Sequence, residues 1–493
     1  MLRSSDDLVA AARASILHEG LPAGRKGNGR AEVLTLRPAD DLPLTEIGLA
    51  ERLVRDHGAD IRYCHASSTW YVWDGRHWAE DSTAEVERLA KSTIRALYAA
   101  AAREPSETRR EAIARFALRA DGDVTIRRML ARAAAEPGVP VTLDQFDAQP
   151  HYLNCLNGVV DLRTGRLEPH RRELLMRNLA GAEYDPEAVS PIWESFLHDV
   201  SGGDLGLRNF LQLAFGYSAT GETREEKLFM PIGPAATGKS TLLEAVKAAL
   251  GSYAWVADFE SFLHRPAGMG GIRSDVAELA GRRFVLSVEV DEGTRLAEGL
   301  VKHLTGGDTM RARNLYQKGF LFRPQCKLWL AANHAPRVRD DDSGLWRRIL
   351  RIPLDKVVPE DRRDPRLKER LRTDPECQRA ILAWIVAGAV AWYQHGLAVP
   401  DCIRGATERY RQEQDPLRDF FADCCLLDAE AWTPAAELRK AYEAHCAREG
   451  IRYPLGPRAL AERLEGRGCR AEVRWINAKA TRVWVGVRLI NAL

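Results

Sequence analysis

Residues 233–240 read Gly233-Pro-Ala-Ala-Thr-Gly-Lys-Ser240, the G-x-x-x-x-G-K-[ST] spacing of a phosphate-binding loop. Gly233 and Gly238 let the backbone close into a concavity lined by inward N–H groups, with Pro234, Ala235, Ala236 and Thr237 as its wall. Lys239 supplies a positive charge for the β- and γ-phosphates, and Ser240 offers a hydroxyl to Mg²⁺. The flanks agree. Lys227-Leu-Phe-Met-Pro-Ile232 is an apolar run of strand type, while Thr241-Leu-Leu-Glu-Ala-Val-Lys-Ala-Ala-Leu250 has helical spacing and stops at Gly251. A helix N-terminus therefore faces the phosphates, and the expected cofactors are ATP and Mg²⁺.

Downstream, Gly281-Arg-Arg-Phe-Val-Leu-Ser-Val-Glu289-Val-Asp291-Glu292 is an apolar strand ending in acids. A carboxylate delivered there suits Mg²⁺ and the attacking water. Glu289 is the first choice, and Asp291 or Glu292 can share the role. Lys327-Leu-Trp-Leu-Ala-Ala-Asn333 is a buried strand closing on an amide placed to sense the γ-phosphate or the water. Gly344-Leu-Trp-Arg347-Arg348 offers two arginines, the residue type that stabilises phosphoryl-transfer charge from a neighbouring subunit. Between these motifs, Lys302, Arg311, Arg313 and Lys318 interleave with aromatics around an expected hairpin. That pattern fits either tracking of a nucleic-acid strand or a solvated charged face.

This order of motifs resembles a superfamily 3 helicase, and more closely the phage and plasmid primase–helicase family with its poxvirus-type nucleoside triphosphatases. The resemblance rests on residues 233–240, Lys302-His-Leu-Thr-Gly-Gly-Asp308, Leu328-Trp-Leu-Ala-Ala-Asn333 and Trp346-Arg-Arg348, with Asn157-Gly-Val-Val-Asp-Leu162, Gly216-Tyr-Ser-Ala-Thr-Gly221 and the Trp70–Trp78 region upstream. It implies an α/β fold: an AAA+-like P-loop core, an α+β N-terminal domain and a C-terminal winged helix. It further implies a ring, a homo-hexamer, that moves along single-stranded DNA and unwinds forked DNA, with ATP sites between subunits. Many relatives begin with a polymerising primase domain. Here only residues 1–42, rich in Gly, Arg, Ala and Asp, precede the matching region, so priming is expected from a separate primase or replication initiator.

Composition bounds the rest. At 493 residues, about three domains are expected. They are placed at 43–200, 201–400 and 418–493, behind a flexible tail at 1–42. No apolar run is long enough to span a bilayer, the N-terminus lacks a signal-peptide layout, and nine scattered cysteines suit reduced thiols. A cytoplasmic location without membrane contact is expected. A net charge of +2 excludes a polycation, so a nucleic-acid surface must be local. Residues 431–493 carry twelve Lys/Arg against six Asp/Glu. Arg458, Arg463 and Arg467 on a helix, with Lys479 and Arg482 on a hairpin, are candidate contacts to duplex. A winged helix also docks proteins, and an AAA+-type remodelling regulator that never unwinds DNA is the competing reading. A small-molecule kinase is disfavoured because no acceptor site is visible.

Overall fold

The computed structural model describes residues 42–258, 262, 274–288, 296–313, 319–338, 343–451 and 454–490. Glu289, Asp291 and Lys318 lie outside them, as does the tail expected at 1–42 apart from its last residue. The first elements are α1 (Glu46–His57), the antiparallel strands β1 (Ile61–Cys64), β2 (Thr69–Trp73) and β3 (Trp78–Glu80), and helices α2 (Glu85–Arg103), α3 (Glu107–Ala120) and α4 (Asp123–Ala133). Thr45 caps α1 through the Gly48 N–H. The Asp74-Gly75 turn joins β2 to β3, with Asp74 Oδ1 accepting the N–H groups of Arg76 and His77. Acidic Asp121-Gly122-Asp123 is an interhelical link, as its composition suggests. A second antiparallel sheet follows: β4 (Tyr152–Cys155), β5 (Gly158–Asp161) and β6 (Arg166–Glu168).

Helices α5 (Pro191–Ser201) and α6 (Leu205–Ala219) lead into the central layer. It contains β7 (Leu228–Ile232), α7 (Lys239–Leu250), β8 (Ala254–Val256), α8 (Ser274–Ala277), β9 (Phe284–Val288), α9 (Glu298–Gly306), β10 (Met310–Ala312), β11 (Phe320–Phe322), β12 (Lys327–Ala331), α10 (Ser343–Trp346) and β13 (Ile349–Pro353). Five of these strands form a parallel sheet in the order β13-β7-β12-β9-β8. Their continuous apolar runs reflect burial on both faces. Phe229, Leu286 and Trp329 point into one core, while Leu228, Met230, Val285, Leu328 and Leu330 point into the other. Trp329 stacks between Phe215 of α6 (4.2 Å) and Phe229 of β7 (4.6 Å), and its indole N–H donates to Ser218 Oγ at 2.9 Å. This stack locks α6 to the sheet.

Beyond the sheet come α11 (Leu367–Thr373), α12 (Pro375–His395) and α13 (Asp401–Glu413). The C-terminal elements are α14 (Arg418–Cys424), β14 (Cys425–Pro434), α15 (Ala435–Arg448), α16 (Pro457–Gly466), β15 (Arg470–Ile476) and β16 (Lys479–Leu489), with strand order β14-β16-β15 and a core of their own around Phe420, Tyr442, Leu464 and Trp484. Thr433 lies in β14 and donates to the Val487 carbonyl at 2.9 Å. One local expectation changes. Lys302 lies on α9, not on the hairpin, which is β10–β11 alone. Among the described residues no helix is long and apolar enough to cross a membrane.

Candidate nucleotide site

The octapeptide connects the end of β7 to the first residue of α7. Gly238 has φ +85, a left-handed backbone that glycine adopts without strain. A Cβ on Gly233 would lie 2.0 Å from the Leu354 carbonyl oxygen, so only glycine fits there. No side chain caps the first turn of α7, which leaves its N–H groups available. Lys239 is buried, and its ammonium donates to the carbonyls of Gly233 and Pro234 at 2.6 Å each and to Thr237 Oγ1 at 3.2 Å. Burial lowers its pKa, with Asp355 opposing. A cation held by carbonyls, beside an uncapped helix N-terminus, is a fitted anion site. The residues present thus suit the phosphates of ATP, with Ser240 at the helix start as the hydroxyl for Mg²⁺.

Strand β12 brings Asn333 to this loop. The Ile232–Ala332 bridge continues the β7–β12 pairing, and the Gly233 N–H reaches the Ala332 carbonyl at 3.4 Å. Asn333 follows and is exposed. Strand β9 runs beside β12 with Val288 opposite Ala331, and Glu289 comes next in sequence. The other flank is Leu354–Val358. Leu354 N–H donates to the Ile232 carbonyl and Val358 N–H to the Ala236 carbonyl, both at 3.0 Å. This flank has no signature in the sequence, because it is held by backbone groups alone.

Arg347 and Arg348 sit at the opposite end of the sheet. Ile349 pairs with Leu228 and Pro353 with Ile232, so the strands separate these arginines from their own phosphate loop by roughly 15 Å at a rise of about 3.3 Å per residue. Arg348 is buried. It donates to Thr305 Oγ1 at 3.2 Å and to the Gly344 carbonyl at 2.6 Å, and pairs with Glu226 at 2.9 Å. Arg347 shares that carboxylate at 2.8 Å, but its side chain is 64% exposed. The segments 302–308 and 346–348 thus meet through Thr305 and Arg348. Of the two arginines, only Arg347 has a head group open to solvent.

Two buried cations escaped the sequence reading. Arg283, immediately before β9, donates to the carbonyls of Tyr152 (2.7 Å) and Ala219 (2.9 Å). Lys327, the first residue of β12, donates to those of Thr220, Glu222 (3.2 Å) and Gln325 (2.8 Å) and lies over the Tyr217 ring. These two residues root the strands that lead to Glu289 and Asn333 in the C-terminal end of α6. A lysine opening an otherwise apolar strand was the one available signal.

Of the proposed nucleic-acid residues, Arg311 and Arg313 are exposed on or beside β10. Arg458 is exposed and pairs with Glu462, and Lys479 and Arg482 are exposed on β16, while Arg463 is half-buried. Arg467 is used internally: it pairs with Asp415 and lies 4.2 Å over the Phe421 ring.

The D5 N-terminal-like family matches residues 50–202, and DUF5906, a family of unknown function, matches 232–348. A helicase-named protein of Acanthamoeba polyphaga mimivirus is 25% identical over 391 residues, covering 72% of this chain and 40% of the relative. Helicase-named proteins of Frog virus 3 and Invertebrate iridescent virus 3 are each 24% identical, covering 46% and 57% of this chain. These matches support a relationship of the chain to the phage and viral primase–helicase family. The chain spans only 25–40% of the length of these relatives. The apo C-terminal region of NrS-1 is similar at 10% identity and a TM-score of 0.48, over 89% of this chain and 98% of that one. In the family's N-terminal match lie the two small sheets and α1–α5, and the match to residues 232–348 contains both the phosphate loop and Asn333.

Proposed function

We propose that the chain is an ATP-dependent DNA helicase of superfamily 3, acting as a homo-hexameric ring during replication of a phage, prophage, plasmid or related element. The observation that carries this reading is the Ile232–Ala332 bridge, which sets Asn333 beside the phosphate loop of Lys239 while Arg347 faces away at the far end of the same sheet. Such a site is half-built within one protomer and completed by an arginine from the next.

ATP supplies the phosphoryl group that passes to water. Gly233, Pro234, Ala235, Ala236, Thr237, Gly238 and Thr241 shape the cradle, and Lys239 holds the phosphate charge. Ser240 and Glu289 hold Mg²⁺, Glu289 with Asp291 orients the water, and Asn333 senses the γ-phosphate. Arg347 contacts the neighbouring subunit's site, and Arg348 positions it through Thr305 and Glu226. Lys302, Arg311, Arg313 and Lys318 serve one DNA strand. The C-terminal unit is read as a winged helix, with α15 and α16 against the β15–β16 hairpin, in which Arg458, Arg463, Lys479 and Arg482 approach duplex at the fork. Arg467, held by Asp415, supports that surface from within.

The test is ATP hydrolysis with and without single-stranded DNA, together with unwinding of a fork. The strand should stimulate hydrolysis several-fold, and the fork should open only with ATP and Mg²⁺. Hydrolysis indifferent to DNA, with no unwinding, would transfer the chain to the remodelling-regulator class.

A further inference from the structure

The C-terminal hairpin ends in a two-residue turn, Asn477-Ala478, with positive φ at both positions (+49 and +60). That geometry matches the twist of the flanking strands and makes a stiff tip. Cross-strand partners share a face, so the pairs Ala471–Trp484, Val473–Arg482 and Trp475–Ala480 form one ladder. Its inner rung, Trp484, is buried in the C-terminal core, whereas Val473 is 68% and Trp475 77% exposed. Ala480 is too small to cover the indole. On the opposite face, Arg474 lies over the Trp432 ring and is bonded to Glu472. Five cations and one acid occupy residues 470–489.

A large aromatic left in water within a cationic hairpin has a partner of matching chemistry: a polyanion with flat apolar faces. Within a continuous duplex those faces are already stacked. They become free where strands part. We propose that Trp475 stacks on the first unpaired base at a single-strand–duplex junction, while Arg482, on the same face, holds the adjacent phosphates. This deepens the helicase reading and rests on it.

The experiment uses full-length protein with a forked DNA and a long fully paired duplex, titrated at several salt concentrations. A 2-aminopurine at the first unpaired position reports stacking. Trp475→Ala should weaken fork binding about tenfold, in line with one lost base stack, and lose the 2-aminopurine quenching. Its duplex affinity and salt slope should stay as in wild type, and Trp475→Phe should restore most of the fork preference. Arg482→Ala should instead lower the salt slope on both DNAs by about one unit. Because the indole is exposed, matching thermal melts will show that these variants fold. The proposal is overturned if Trp475→Ala binds the fork like wild type, or weakens fork and duplex equally; either result leaves the helicase reading standing. Wild-type protein that bound neither DNA would overturn both.

Discussion

At the carboxyl end of the five-stranded sheet, Lys239 lies next to the uncapped N-terminus of α7; at the amino end, Arg283 grips the carbonyl of Ala219, the last residue of α6, and Lys327 that of Thr220, its cap. The same residue chemistry does opposite work. A helix N-terminus carries partial positive charge, and a lysine beside it makes a surplus that an anion must settle. A helix C-terminus carries partial negative charge, so the two cations there neutralise what α6 leaves behind. Near them, Glu226 holds both Arg347 and Arg348. One end of the sheet is thus arranged to receive a ligand, and the other is satisfied from within, except for the exposed head of Arg347.

The largest effect tests that exception. Arg347→Ala should lower hydrolysis by assembled protein on the order of 10³-fold, the scale of a lost arginine finger. Lys239→Ala should remove hydrolysis on the order of 10²–10³-fold by deleting a preorganised charge. In the proposed ring the two defects lie on opposite sides of one subunit boundary. Mixed in one ring, the variants should regain a measurable fraction of activity, because some interfaces carry both intact halves. A mixture no more active than its components, with ring assembly confirmed by sedimentation, would return Arg347 to a purely structural role.

Stability sharpens the comparison next. Truncating Arg348 strands Thr305, the Gly344 carbonyl and half of Glu226's pairing, and should cost about 2–3 kcal/mol of unfolding free energy in denaturant titration. Arg347→Ala should stay within about 0.5 kcal/mol of wild type, as an exposed ion pair does. Equal losses at the two neighbours would mean that burial does not separate their roles.

What the sequence made legible follows from the range of the forces involved. The phosphate loop is a local device: its glycines, its lysine and the helix after it lie within eighteen residues of one another, so spacing alone reveals it. The five strands were visible for a similar reason, since burial on both faces requires unbroken apolar runs. Arg283 and Lys327 were invisible because all their partners but the Gln325 carbonyl lie 64 to 134 residues away. β14 was missed because Asp428-Ala429-Glu430 interrupts its alternation at a register shift. Thr433-Pro434 has the local pattern of a helix start, but the carbonyl of Val487 on the neighbouring strand claims the Thr433 hydroxyl.

The smallest effect concerns Lys327 and pH. Complete burial beside the like charge of Arg283 drives its pKa well below the ordinary 10.5. The folded state therefore binds fewer protons at this site than the unfolded chain in the window between the lowered value and 10.5. Stability rises with pH wherever the unfolded state holds more protons, by at most about 1.4 kcal/mol per pH unit for one site. Lys327→Met keeps the length and removes the titration. The unfolding free energy of wild type minus that of Lys327→Met should increase as pH rises towards 10.5, so that tyrosine and cysteine titrations shared by both proteins cancel. Three carbonyls and the Tyr217 ring act in the other direction by favouring the ammonium. A flat difference across that range would show that they win. Lys327 would then stand as a permanent positive charge at the end of α6, the mirror of Lys239 at the start of α7.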